Sequence, residues 1–497
     1  MSQTASTPWQ YRDAGRGGVL LAAIVLAAAF MLHGAELLLL SRSNGLYIDE
    51  LTSLVITEPA QNFGRAFTER IITDGHPPLY YFALYAVRKL IADDGSASLV
   101  LNLLATLAAA MTVVWSSWRA RVLPCGLLAV AAFLLTGPVL RFTLEVRTYL
   151  IAINLVFVAA WFCGLAVQVR RPPPAIGFGI TGIIGALLHP FATLICVSLA
   201  FGMMTVALID RRNDLWRYGL SLSISSLVIF AVWSPFGLAT AHKLSWITFD
   251  RASVIQAIEE VGELAVGGTG AASRYGMLLF GIVLCAGFLT RVTRSLTVAF
   301  GVALGVFALL PILISYRLPI IVGRYWTIGY PVVVVLTVLL CATWFFEGLE
   351  SRRHRALFVA AGVAAGFIVM SDASGFAAAR VHLSYKKIWR GAPVVAALAS
   401  RCPAGSIHVL GAMLPLYAKS SGLSKGTFVD AAADDTSLTT VANARCPVLG
   451  WAEHDVDLLF HPDLSDETIL DELKIAPSID SLAVQRHLTG VVILQKH

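Results

Sequence analysis

Residues 41–90, SRSNGLYIDELTSLVITEPAQNFGRAFTERIITDGHPPLYYFALYAVRKL, follow directly on the first apolar run long enough to cross a bilayer. They hold an adjacent carboxylate pair, Asp49 and Glu50, and then Asp74 two residues before His76, Pro77 and Pro78. A chain of 497 residues that is 57% hydrophobic and 14% charged, with mean hydropathy +0.74, has few places to keep charged groups. Acids, a histidine and arginines gathered beside the bilayer therefore need a reason. The composition itself excludes an ordinary soluble enzyme, whose surface alone would require more charge. Apolar runs alternate with Arg clusters and lack strand-length alternation, so the fold class is an all-α polytopic membrane bundle rather than a barrel.

Working outward from that loop, residues 17–40 are long enough to cross about 30 Å of hydrocarbon, and Arg12 and Arg16 precede them. They read as a retained anchor entering from the cytoplasm, not as a cleaved signal peptide. The run HPPLYYFALYAVRKLIADD is apolar but short. Laid in the outer interface, with its prolines in the first turn and Tyr80 and Tyr81 at headgroup level, it keeps Arg119 and Arg121 inside. The later spans then fall at 98–118, 122–139, 149–169, 175–188, 191–209, 216–236, 275–289, 296–316, 325–346 and 356–370, about 11 transmembrane helices in all. Arg170/Arg171, Arg211/Arg212, Arg291/Arg294 and the cluster at 352–355 all face the cytoplasm in that register. The His189-Pro190 break leaves a second reading of 175–209, as one interrupted helix.

This divides the chain into a membrane domain at 1–371, with the external loop 41–97, and a polar, acidic segment at 372–497. The latter reads as a small extracytoplasmic α/β domain, with strand-like runs at 407–410 and 491–494 and helical patterns at 393–400 and 465–473. A second external segment, 237–273, mixes aromatic, charged and Gly residues around an amphipathic middle. The net charge of +6 lies in short loops, where it is topology information and gives no ground for a nucleic-acid partner. Five cysteines sit in apolar runs as small hydrophobes. Cys402 and Cys446, each followed by Pro, lie in the outer tail as candidates for a bridge, and no spacing resembles a zinc site.

Under this topology Asp49, Glu50, Asp74, His76, Arg141, Glu145, Arg147, His189, Lys243, Arg317 and Arg324 gather at the outer ends of the spans. Convergence of acids and bases on one face suits transfer from a lipid phosphate donor: an acid takes the proton of an acceptor hydroxyl while cations hold the phosphate leaving group.

YIDE at 47–50 followed by DGHPPLYYFALY at 74–85 resembles the first external loop of the GT-C class of glycosyltransferases, where an acidic pair precedes an Asp-x-His-Pro-Pro-Leu element. LEVRTYL at 144–150 resembles the Glu-x-Arg-x-Tyr element of bacterial members, and GRYWTIGYP at 323–331 resembles their late Arg-Tyr element. The layout is similar to that of protein O-mannosyltransferases. The loop looks closest to bacterial members such as the galacturonosyltransferases of lipopolysaccharide and to mannosyltransferases. Lipid A aminoarabinose transferases usually carry Lys where His76 stands, which sets this chain apart from that subgroup.

The resemblance implies an integral-membrane enzyme that moves one hexosyl, mannosyl or uronosyl group from a polyprenyl-phosphate sugar to an extracytoplasmic glycan, glycolipid or protein acceptor, with inversion. It places the active site and the tail on the periplasmic side of a bacterial inner membrane. Asp49 is the expected base and Glu50 orients the acceptor or a neighbour, the alternative being that both acids cap a loop helix and face water. Asp74 and His76 are placed near the acceptor or a divalent ion, or else serve as a turn residue and a helix cap. Arg324, Arg147 and Tyr325 are the donor-phosphate candidates, because a guanidinium fork matches phosphate oxygens. Glu145 either serves the site or pairs with Arg147, His189 reaches the donor or is structural, and Lys243 with Trp246 contacts the donor from the second loop. No cofactor is required, a divalent cation is left open, and no Gly-rich nucleotide signature is present. The rival reading, a transporter or lipid flippase, predicts inverted repeats with helices interrupted near the midplane, and no convincing repeat appears.

Overall fold

The computed structural model describes residues 16–41, 48–74, 76–91, 93–168, 174–239, 271–318, 320, 323–350, 376–377, 379–380 and five strands of the tail, with Ser465. The chain divides into two compact units, Met1–Arg42 with Thr57–Arg380, and Ser43–Ile56 with Val381–His497.

The first unit is helical. Its long elements are α1 (Arg16–Ser41), α6 (Asp94–Arg119), α7 (Leu123–Leu134), α8 (Gly137–Thr143), α9 (Tyr149–Gln168) and α10 (Ala175–Leu188). They continue with α11 (Pro190–Ile209), α12 (Asn213–Ala239), α13 (Ala271–Leu289), α14 (Arg294–Ser315) and α16 (Tyr330–Glu350). Between α1 and α6 lie the short α3 (Phe63–Ala66), a π turn (Phe67–Ile71), α4 (Ile72–Asp74) and α5 (Leu79–Leu90). A one-turn helix, α15 (Gly323–Trp326), and a 3-10 turn (Thr327–Gly329) lead into α16.

Seven of these helices are long and apolar enough to cross a membrane: α1, α6, α9, α11, α12, α14 and α16, the last counted with its 3-10 turn. The chain is thus a multi-pass membrane protein. Each of the first ten expected spans coincides with a helix, although α10 and α13 carry shorter apolar stretches. The span expected at 122–139 is broken: α7 and α8 meet at 62°. Gly137-Pro138 explains the break, because proline suits the first turn of a new helix and cannot continue an old one. The eleventh expected span lies outside the described residues.

Helix α9 is apolar on every side and almost entirely buried, as a central helix should be. It packs with α6, α11 and α16 around Trp161 and Trp344, and the Phe133 and Phe157 rings stack at 4.1 Å. Large apolar side chains such as Leu20, Leu104, Val228 and Leu309 are exposed along α1, α6, α12 and α14, which only a hydrocarbon solvent tolerates over such lengths. Small residues bring the helices close. A Cβ on Gly202 of α11 would strike the Ala299 carbonyl of α14, and one on Gly182 of α10 would meet Ser225 and the Leu222 carbonyl of α12.

Contacts settle the 175–209 ambiguity. Ser221 of α12 donates to the Ala175 carbonyl, and Gly182 meets Ser225 and Ser226, so α10 and α12 run parallel. Gly219 of α12 meets Met204 and Ala200 near the end of α11, and only the turn around 210–212 separates those two helices, so they are antiparallel. Helices α10 and α11 therefore form a hairpin hinged at His189.

The second unit holds α2 (Ile48–Ile56), which carries Asp49 and Glu50 in its first turn, and a five-stranded sheet. Its strands are β1 (Ile407–Val409), β2 (Phe428–Asp430), β3 (Val448–Gly450), β4 (Leu482–His487) and β5 (Gly490–Gln495), in the order β2-β1-β3-β5-β4. β1 pairs in parallel with β2 and β3, and β5 pairs antiparallel with β3 and β4. Val484 stands opposite Ile493 and Ala483 opposite Leu494, which fixes the β4–β5 register. Strands thus occur at the two expected runs. The expected helices at 393–400 and 465–473, like Cys402 and Cys446, lie outside the described residues.

Candidate functional site

The site of the first unit is assembled at one end of the bundle. Asp74 ends α4, and one of its carboxylate oxygens, Oδ2, receives two hydrogen bonds, from His76 Nδ1 at 2.7 Å and from the Tyr81 hydroxyl at 2.6 Å. Its side chain is 14% exposed. Burial pushes this carboxyl up, but the imidazole of His76, the Tyr81 hydroxyl and the positive charge of Arg147 outweigh it and hold Asp74 well below the usual carboxylate range. Burial and the Asp74 charge in turn push the Tyr81 hydroxyl well up, so it stays a donor. With an ionised carboxylate on Nδ1, the His76 ring carries a proton there and Nε2 is the nitrogen left for other work.

Pro78 is the N-cap of α5 and no side chain caps that helix, so His76 is not its cap. The buried face of α5 carries Tyr80, Tyr81, Leu84, Tyr85 and Arg88. Tyr80 and Tyr81 are 1% and 2% exposed, which corrects their expected exposure to headgroups: both side chains turn inward, and Tyr81 finds an acceptor there in Asp74. Arg88 is buried and donates to Thr57 Oγ1 at 2.9 Å, tying α5 to the segment that follows α2.

His76 lies 6.1 Å from the ring of His189, centroid to centroid. His189 has extended backbone between α10 and α11, and its Nδ1 accepts from the Phe191 N–H at 3.1 Å, capping α11. That bond places the ring proton of a neutral His189 on Nε2. The same imidazole stands edge-on to Tyr325 at 5.1 Å and tilted to Tyr149 at 5.6 Å. It is both a structural residue and a wall of the site.

Arg147 is 8% exposed, with its guanidinium carbon 5.9 Å from the Tyr149 centroid. The backbone around it is clamped: Asn102 Nδ2 of α6 lies within bonding distance of the carbonyls of Phe142, Thr143 and Glu145, at 3.3, 3.1 and 3.0 Å, and Ser98 donates to the Glu145 carbonyl. Thr148 donates to the Leu188 carbonyl, joining this turn to the His189 hinge. Glu145 engages Arg141 at 3.2 Å.

Asp74, His76, Arg147, His189 and Tyr325, from four separate stretches of sequence, are therefore brought together. Tyr81, Tyr149 and Asn102 belong with them and were not anticipated. Glu50, of the second unit, is buried. The backbones of Asp49 and Arg324 are helical, but their side chains are not described, and Lys243 lies outside the described residues. Among the described residues no three His, Cys, Asp or Glu stand close enough together to hold a metal ion.

The fold is that of ArnT from Cupriavidus metallidurans. The crystal structure bound to undecaprenyl phosphate matches with a TM-score of 0.53 and 13% identity, covering 96% of this chain and 98% of that one. The apo crystal structure gives 0.52 and 12%, covering 95% and 97%. No protein-family model and no curated protein sequence matches the chain.

Proposed function

We propose that this protein is an integral-membrane glycosyltransferase that moves one sugar from a polyprenyl-phosphate donor to an acceptor hydroxyl outside the cytoplasm, with inversion at the anomeric carbon. The observation that carries the reading is the cluster of Asp74, His76, Arg147, His189 and Tyr325 at one end of an apolar bundle. Its fold is shared with a protein crystallised with undecaprenyl phosphate, and its motifs resemble the GT-C class.

In the proposed reaction Asp49 takes the acceptor proton as the acceptor oxygen attacks the anomeric carbon. The new C–O bond forms on one face while the bond to the phosphate oxygen breaks on the other, and the electron pair leaves with polyprenyl phosphate. Arg324 and Arg147 stabilise the charge that develops on that phosphate, with Tyr325 beside them. Glu50 orients Asp49 or the acceptor. Asp74 fixes the tautomer of His76 so that Nε2 can hydrogen-bond the acceptor. The acceptor is a glycan, glycolipid or protein of the cell envelope, and the site faces the periplasm.

The test is incubation of the purified protein with a panel of polyprenyl-phosphate sugars and an envelope-glycolipid extract, with and without chelator. Release of free polyprenyl phosphate from at least one donor, lost in Asp49→Asn protein of normal yield, is the expected result. Movement of an intact lipid-linked sugar between leaflets with no release would favour the flippase reading.

A further inference from the structure

The half of the bundle away from the site holds a groove of about 530 Å³ between α1, α6 and α7. Leu26 and Phe30 of α1, Ala110, Met111 and Trp118 of α6 and Leu123 of α7 are among its walls, and the lining is apolar throughout. Met111, Trp118 and Phe30 are 57%, 61% and 59% exposed, so the groove opens outward along the bundle. From Leu107 to Trp118 it follows α6 for about 16 Å at ~1.5 Å per residue. Half of a hydrocarbon core of ~30 Å is about 15 Å, so the groove is one leaflet deep.

Its mouth is cationic. Arg119 is exposed and lies over the Trp115 ring at 5.8 Å, and Arg121, two residues on, is also exposed. Neither makes an ion pair among the described residues. Tryptophans and arginines at this level match the headgroup zone of a bilayer.

We infer that this groove is a binding site for an anionic phospholipid of the leaflet at the Arg119 end, one acyl chain lying along α6 and the phosphate held by Arg119 and Arg121. The depth favours a phospholipid chain over a polyprenyl chain, which is far longer than one leaflet. Two unpaired cations favour a net-negative headgroup over a zwitterionic one. The site is separate from the proposed sugar-transfer site, which lies at the other ends of these helices.

Native mass spectrometry of the purified protein, delipidated and then titrated with dioleoyl phosphatidylglycerol or dioleoyl phosphatidylcholine, tests it. The expected result is retention of one phosphatidylglycerol with a preference on the order of tenfold. Arg119→Gln with Arg121→Gln should abolish the preference while leaving retention of either lipid. Ala110→Trp, which fills the groove, should abolish retention, and Val114→Phe serves the same purpose if Ala110→Trp yields no folded protein. Unchanged retention in the filled variants, unchanged preference in the neutralised one, or displacement of phosphatidylglycerol by an equal amount of undecaprenyl phosphate would each overturn the assignment.

Discussion

Arginine beside an aromatic ring occurs at both ends of the bundle, with different consequences. Arg147 lies against Tyr149 almost wholly removed from solvent, and its charge reaches Asp74 and Tyr81. Arg119 lies over Trp115 in the open, with no carboxylate partner among the described residues. The turn that carries Arg147 is held by α6, whose Asn102 and Ser98 bond its backbone carbonyls. An exposed guanidinium is served by water and headgroups. What sets the Arg147 end apart is thus not its charge but the polar framework that fixes the turn carrying it.

The comparison can be broken most decisively at the acids. Asp49→Asn should lower polyprenyl phosphate release by about 10³-fold or more at normal protein yield, as expected for loss of a general base. Next, Arg147→Gln should cost about 10²-fold in the same assay, whereas Arg119→Gln should change it by less than about twofold. Equal losses in the two would erase the distinction between the ends.

Asp74→Asn sharpens it further. The Asp74 carboxyl is held below its ordinary value of 3.8, so its stabilising interactions are complete above that pH and fade only as pH falls through the lowered value. No titration of Asp74 occurs between pH 5 and 8. The Asn variant, which removes the carboxylate that holds the Nδ1 proton of His76, should lose activity on the order of tenfold to a hundredfold at pH 7. Wild-type activity in this variant would remove Asp74 from the proposed site.

Two smaller effects concern the framework. Asn102→Ala leaves the carbonyls of Phe142, Thr143 and Glu145 without their amide donor and should destabilise the protein by about 1–3 kcal/mol, read as a lower melting temperature in detergent. Arg211→Gly, at the opposite end, should stabilise it by roughly 0.5–1 kcal/mol, because Arg211 holds a left-handed φ of 54° that glycine adopts freely.

Much of this was legible in the residues. The Asp-x-His spacing before two prolines singled out Asp74 and His76, which a hydrogen bond joins, and the Arg-bearing turns placed the helices. Tyr81 escaped because a tyrosine beside a bilayer ordinarily marks the interface, and its partner lies seven residues back across the proline turn. Asn102 escaped because a lone amide in an apolar run does not announce that its acceptors are carbonyls some forty residues later. Those carbonyls are offered because α8 ends at Thr143, a helix end that the apolar run around it does not announce. Asp93 as the cap of α6, accepting from the Ser96 N–H at 2.7 Å, was readable in DDGS and lengthened that helix beyond the apolar run.

Arg121 and Arg211 sit in left-handed conformations at the ends of α6 and α11, where the N–H of the residue after each reaches five residues back, Val122 to Ser117 and Arg212 to Ala207. Glycine would relax both turns, yet both carry a cation. Short-loop charge is read while a nascent chain is being threaded into the bilayer, before any helix has found its neighbours. The folded molecule thus retains, as slight conformational tension in two hairpins, the imprint of its own biogenesis.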